Sequence, residues 1–156
     1  MNNYYKCYKI AEQLHKGQTR KFTGVPYLTH CTDVARITAM FGGDEDQQCI
    51  ALLHDTVEDC DITYQQLEDM LIEDGVNRSV TYKIVDGVMT LTKRESESET
   101  LKVLESADPY FQHVKCADII ANLSDGLMSS GYKQKKLKQL VNMVSSDIRN
   151  FAIGLT

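Results

Sequence analysis

The 156-residue chain has no apolar run approaching the roughly 20 residues needed to cross a bilayer, which excludes a membrane-spanning helix. Its opening segment, MNNYYKCYKI, lacks the apolar stretch of a secretory signal. A cytoplasmic protein with no membrane partner is therefore expected. There is no CxxC pair. The five cysteines, Cys7, Cys31, Cys49, Cys60 and Cys116, are odd in number and do not form a secreted disulfide framework; small core side chains are the better reading. Prolines number two and glycines nine, with no stretch rich in either, no internal repeat and no alternating strand pattern of any length. Basic residues are not in excess: 17 against 22 acidic ones leave a net charge of −5. That balance excludes broad contact with a nucleic-acid polymer but leaves room for a small phosphorylated ligand. Lys133, Lys135, Lys136 and Lys138 form the one basic cluster, read as a solvated helix face.

What is present is helical periodicity. Tyr4, Tyr8, Ala11 and Leu14 recur at helical spacing and predict a first helix ending near Gly17. Pro26 suits the start of a second, which carries Leu28, Val34, Ile37 and Phe41 up to Gly42 and Gly43. Asp44 is placed to cap a central apolar helix through Ile50, Leu52 and Leu53. Further helices are predicted from Tyr64 to Ile72, from Val76 to about Met89, and from Tyr110 to near Gly126. The polar segment Thr92 to Thr100 reads as a mobile loop or a frayed helix start, and a last amphipathic helix spans Lys133 to Phe151. The expected fold is all-α: a compact multi-helix bundle forming one domain over residues 1–156.

The central apolar helix runs into Ala-Leu-Leu-His-Asp-Thr-Val-Glu-Asp, residues 51–59. Adjacent helix positions point about 100° apart, so His54 and Asp55 can grip one ion from two sides. A divalent cation favours neutral imidazole and ionised carboxylate in one place, offsetting the cost of burying them. His30, on the preceding helix, and Asp118, within an apolar run, complete a mixed nitrogen–oxygen set suited to manganese, iron or zinc. Asp118 also has a plainer reading, as a buried carboxylate satisfied by backbone or by Lys115. Glu58 and Asp59 lie four residues beyond His54 and Asp55, one helical turn on. There they could orient or deprotonate a water activated by the ion, or simply be solvated acids at a helix end. Arg20 and Lys21 could hold phosphate or stack on a base, or be ordinary loop cations.

The order H…HD…D resembles the HD-domain metal-dependent phosphohydrolases. Gly-Gln-Thr-Arg-Lys at 17–21, Thr-Gly-Val-Pro-Tyr-Leu-Thr-His at 23–30, the 51–59 segment, and Val-Lys-Cys-Ala-Asp at 114–118 with Asn122 beyond resemble the hydrolase domain of the RelA/SpoT group. The resemblance implies a manganese ion held by His30, His54, Asp55 and Asp118, a catalytic pair Glu58 and Asp59, and substrate contacts from Arg20, Lys21 and Asn122. It implies hydrolysis of the 3′-pyrophosphate of guanosine tetra- or pentaphosphate, giving GDP or GTP and pyrophosphate. Two departures bear on substrate. Ile119 and Ile120 stand where the group usually has a basic residue after the aspartate, and Glu95, Glu97, Glu99 and Glu105 intrude in a segment that is basic in many relatives. Another nucleotide, such as NADPH or a nucleotide signal, and a non-catalytic nucleotide-binding role are the alternatives. Oligomeric state is not legible.

Overall fold

A computed structural model describes residues 2–156, and all of its named elements are helices: α1 (Asn3–Leu14), α2 (Leu28–Met40), α3 (Glu45–Leu53), α4 (Thr56–Asp59), α5 (Tyr64–Glu73), α6 (Arg78–Leu91), α7 (Glu97–Ser106), α8 (Pro109–Leu123), α9 (Ser130–Val141) and α10 (Asp147–Leu155). Among the described residues the only β pairing is an isolated bridge between Thr19 and Pro26, which closes the loop between α1 and α2. Pro26 thus shapes that loop, and α2 begins two residues later than the proline suggested.

The centre of the molecule is α3. Asp44 and Gln47 form a capping box at its start, each side chain bonded to the other's backbone N–H. Beyond the cap, Cys49, Ile50, Ala51, Leu52 and Leu53 are all buried. A helix apolar on every side must be enclosed, and α1, α2, α6 and α8 enclose it. The packing against α6 is close: a Cβ added at Gly87 would meet Ile50 Cδ1 at 2.6 Å. Leu52 and Leu53 are fully buried, and truncating either to alanine would cost about 2–5 kcal/mol. Four of the cysteines are buried, Cys60 is half-buried, and all five are free thiols.

Two elements sharpen or correct the sequence expectation. Of the two readings of Thr92 to Thr100, a mobile loop or a frayed helix start, the second fits from Glu97 on: residues 97–106 form α7, capped by Ser96 accepting from the Glu99 N–H. Only Leu104 of that helix is buried, so no apolar stripe announced it. The predicted last helix is two. Asn142 caps α9, Ser146 caps α10, and the Arg149 side chain donates back to the carbonyls of Leu140 and Val141. These side-chain bonds satisfy the end of one helix with a residue of the next. The resulting turn sets α10 against α8.

Candidate functional site

Three helix segments bring four side chains to one point. His30 comes from the first turn of α2, His54 and Asp55 from the break between α3 and α4, and Asp118 from the middle of α8. Asp55 is not inside a helix: its φ of −100° and ψ of 0° end the α3 register and start the single turn of α4. His30 Nε2 lies 2.9 Å from Asp118 Oδ1 and 3.8 Å from Asp55 Oδ2. His54 Nε2 lies 2.9 Å from Asp55 Oδ2 and 3.4 Å from Asp118 Oδ1. Ligands at right angles on an ion roughly 2.1 Å away are separated by roughly 3 Å, the scale of these spacings.

The protonation pattern fits a cation. His54 Nδ1 sits 2.6 Å from the Ala51 carbonyl, to which it donates, leaving a lone pair on Nε2. That nitrogen is buried, close to two carboxylates, and makes no hydrogen bond. Burial alone would keep His54 neutral, but Asp55 and Asp118 outweigh it and raise its pKa well above the usual range. For Asp118, burial acts to raise the pKa, and Lys115 and His54 together hold it well below the ordinary carboxylate value. The cluster therefore calls for positive charge at His54 Nε2, and a divalent ion supplies it without a proton.

Neighbouring side chains fix these groups. Tyr27 donates its hydroxyl to Asp55 Oδ2 at 2.6 Å. Lys115 and Asn122 donate to the two oxygens of Asp118, at 3.1 and 3.2 Å. The plainer reading of Asp118 is thus correct for one oxygen, while the other faces the histidines. Tyr27 has no role assigned by the sequence reading, although its position three residues before His30 places both on one side of the chain's turn into α2.

Glu58 lies on the cavity that opens from this cluster, and its Oε1 accepts the Lys93 N–H at 3.0 Å. Asp59 clusters with Asp55 and Glu58. Burial, with the charges of Asp55 and Glu58, raises its pKa to about 6. Arg20 donates to Asn122 Oδ1 at 2.9 Å and lies over the Tyr27 ring, so it and Asn122 meet at the cavity margin. Lys21 does not reach the metal-side cavity: it lies over Phe22 in an adjacent hollow shared with Arg20 and Tyr132. Ile119 and Ile120 are buried in the core, so the departure noted there does not alter the cavity surface. The lysine cluster is not a solvated face throughout. Lys135 pairs with Glu97 at 3.1 Å, and Lys136 is buried on the cavity wall.

The HD domain family is matched over residues 7–153. The chain belongs to that family. HD domains depend on a divalent metal, and the His30, His54 and Asp55 group of this one can hold such an ion. Relatives of this HD domain include a GTP pyrophosphokinase of Streptomyces coelicolor, 36% identical over 138 residues, covering 84% of this chain and 16% of that protein. A guanosine-3′,5′-bis(diphosphate) 3′-pyrophosphohydrolase of Aquifex aeolicus is 33% identical over 138 residues, covering 85% of this chain and 19% of that protein. The chain thus spans less than a fifth of the length of these curated relatives. A solved structure described as a metazoan ortholog of SpoT that hydrolyzes ppGpp and plays a role in starvation responses superposes with a TM-score of 0.83 at 21% identity, covering 99% of this HD domain and 94% of that chain. That likeness shows the fold. Among the described residues no helix is long and apolar enough to cross a membrane.

Proposed function

We propose that residues 1–156 form a single HD hydrolase domain that removes the 3′-pyrophosphate from guanosine tetra- or pentaphosphate, leaving GDP or GTP. The observation that carries this reading is the buried, unbonded His54 Nε2 facing two carboxylates, with Glu58 at the same cavity. The activities in the names of the relatives support the substrate class.

His30, His54, Asp55 and Asp118 would hold the ion, for which manganese suits two imidazoles and two carboxylates. When bound, such an ion supplies Lewis acidity toward water and phosphoryl oxygens. The residues of this chain do the rest. Glu58, its other oxygen free of the Lys93 N–H, takes a proton from the attacking water. Asp59, with a pKa near 6, is ionised at neutral pH and supports the proton on its neighbour. The water oxygen bonds to the phosphorus attached to O3′, the P–O3′ bond breaks, and O3′ leaves with a proton as the nucleotide hydroxyl. Arg20, bonded to Asn122 and lying over the Tyr27 ring, presents its guanidinium to the nucleotide. Lys21 adds charge from the adjacent hollow.

Purified protein with manganese is expected to release pyrophosphate from ppGpp, measured by chromatography of both products. Release of neither pyrophosphate nor GDP, with the metal bound, would overturn the reading. Turnover of NADPH or another nucleotide in its place would move the substrate while keeping the enzyme class.

A further inference from the structure

Helix α4 is a single turn, too short to hold itself, yet it carries Glu58 and Asp59. Its start, Asp55, is held by the Tyr27 hydroxyl. At its end the Cys60 N–H returns to the Thr56 carbonyl, and Asp61 then turns the chain away at a φ of 53°. Among the described residues no backbone N–H of another element donates to the Asp59 carbonyl, one of the acceptors that a helix end leaves unmet. The Gln18 side chain meets it. Its Nε2 donates to that oxygen at 3.0 Å and lies 3.6 Å from Cys60 Sγ.

Gln18 is itself built in. Its backbone N–H donates to the His15 carbonyl at 2.9 Å, and its own carbonyl accepts the Tyr27 N–H at 2.8 Å. The orientation of its amide follows from its partners. A carbonyl only accepts, so the NH₂ group faces Asp59, and Oε1 faces His15 Nδ1, 2.8 Å away. That oxygen also only accepts, which puts the imidazole proton on Nδ1. His15 is buried, and burial lowers its pKa, so the ring is neutral with this one N–H to give. The same ring packs on Tyr27, with centroids 4.9 Å apart. Residues 15–27 thus clasp both ends of α4: Tyr27 grips Asp55, and Gln18 grips Asp59. A glutamine serving only its own loop would have no use for a bond to a residue 41 positions further along the chain.

We propose that Gln18, oriented by His15, is a positioning residue that tethers the far end of α4 and so sets where Glu58 and Asp59 stand beside the metal ligands. The inference deepens the hydrolase reading and rests on it for the reaction.

Gln18→Glu tests it, because the variant keeps the shape and the acceptor for His15 but turns an oxygen toward the Asp59 carbonyl. With manganese and ppGpp, kcat is expected to fall about tenfold to a hundredfold, with KM and manganese affinity within about twofold of the parent. His15→Leu should act in the same direction, and His15→Asn, which restores an N–H near the Nδ1 position, should recover most of the loss. Gln13→Glu, exposed on α1, should change nothing. A reading independent of activity comes from the Lys93 amide proton, whose bond to Glu58 Oε1 reports where that carboxylate sits. In the magnesium-loaded protein its resonance should move in Gln18→Glu, together with that of the Asp59 carbonyl carbon. A Lys93 resonance that stays in place overturns the positioning role, as does an unchanged kcat. A loss of kcat matched by an equal loss of manganese affinity also overturns it and leaves Gln18 a tie within the fold. If Gln18→Glu does not fold, the two His15 variants decide by the same readings. A parent protein that binds the metal but leaves ppGpp intact removes the hydrolase reading instead, and the Lys93 and Asp59 resonances then decide the tether alone.

Discussion

The two sides of the cavity are built differently. On the side formed by α2, the α3–α4 break and α8, each functional group is held by a second one. His54 is tied to the Ala51 carbonyl, Asp55 to Tyr27, and Asp118 to Lys115 and Asn122. These helices bury their apolar faces against one another, so the side chains rest on the core itself. On the side formed by the α6–α7 turn, α7 and α9, fixation is thin. The Glu97–Lys135 pair is solvent-accessible and worth at most about 1 kcal/mol, and α7 buries only Leu104. On the proposed reading, the rigid side carries the groups that must be placed to a fraction of an ångström for chemistry. The looser side keeps one buried acceptor without a hydrogen bond, Gln139 Oε1, as the rigid side does at His54 Nε2.

The sharpest way to break this contrast is at the rigid side. His54→Ala or Asp55→Ala is expected to abolish metal binding, measured by metal content after dialysis, and with it all hydrolysis. Retention of a stoichiometric ion and full activity in either variant would refute the ligand assignment. Glu58→Gln should keep the metal but lower kcat by about 10²–10⁴, since it removes the proton acceptor and preserves shape; an unchanged kcat would assign that proton to another group. Tyr27→Phe removes one bond to Asp55 and should weaken metal affinity or activity by about 10–100-fold. A variant indistinguishable from the parent in a metal competition titration would show that the hydroxyl does not orient Asp55.

The smallest expected effect is a titration. Asp59 has its pKa raised to about 6 by burial and by the charges of Asp55 and Glu58, so below that pH it is protonated and above it ionised. Metal binding at Asp55 neutralises one of the raising charges, and the midpoint should move downward. Carboxyl ¹³C spectra with and without the ion read this directly; a midpoint that rises on metal addition would contradict the placement of the ion at Asp55.

The same contrast governs what the sequence revealed. The metal-side helices were legible because their apolar spacing and caps are strong, and because His54, Asp55 and Glu58 follow one another along a single stretch of chain. Asp118 stood out as a carboxylate inside an apolar run. On the other side, the Ser-Glu-Ser-Glu stretch hid α7, because an N-cap serine and one buried leucine leave little periodic signal. Lys136 sits among lysines that do face water, and its burial comes from where α9 lies against the cavity, which no local pattern encodes. The break between α9 and α10 depends on Arg149 reaching back to Leu140 and Val141, a contact invisible to helical periodicity.

Gly87 sits away from the ligand groups, inside the packing of α6 on α3, where a single methyl would collide with Ile50. Helix α6 ends at Leu91, and two residues later the Lys93 N–H grips Glu58. The missing carbon thus works as a shim: it lets α6 bed closely against α3, and α6 leads into the backbone N–H that holds Glu58. The seating of one wall of the cavity thus depends on a position that has no side chain at all.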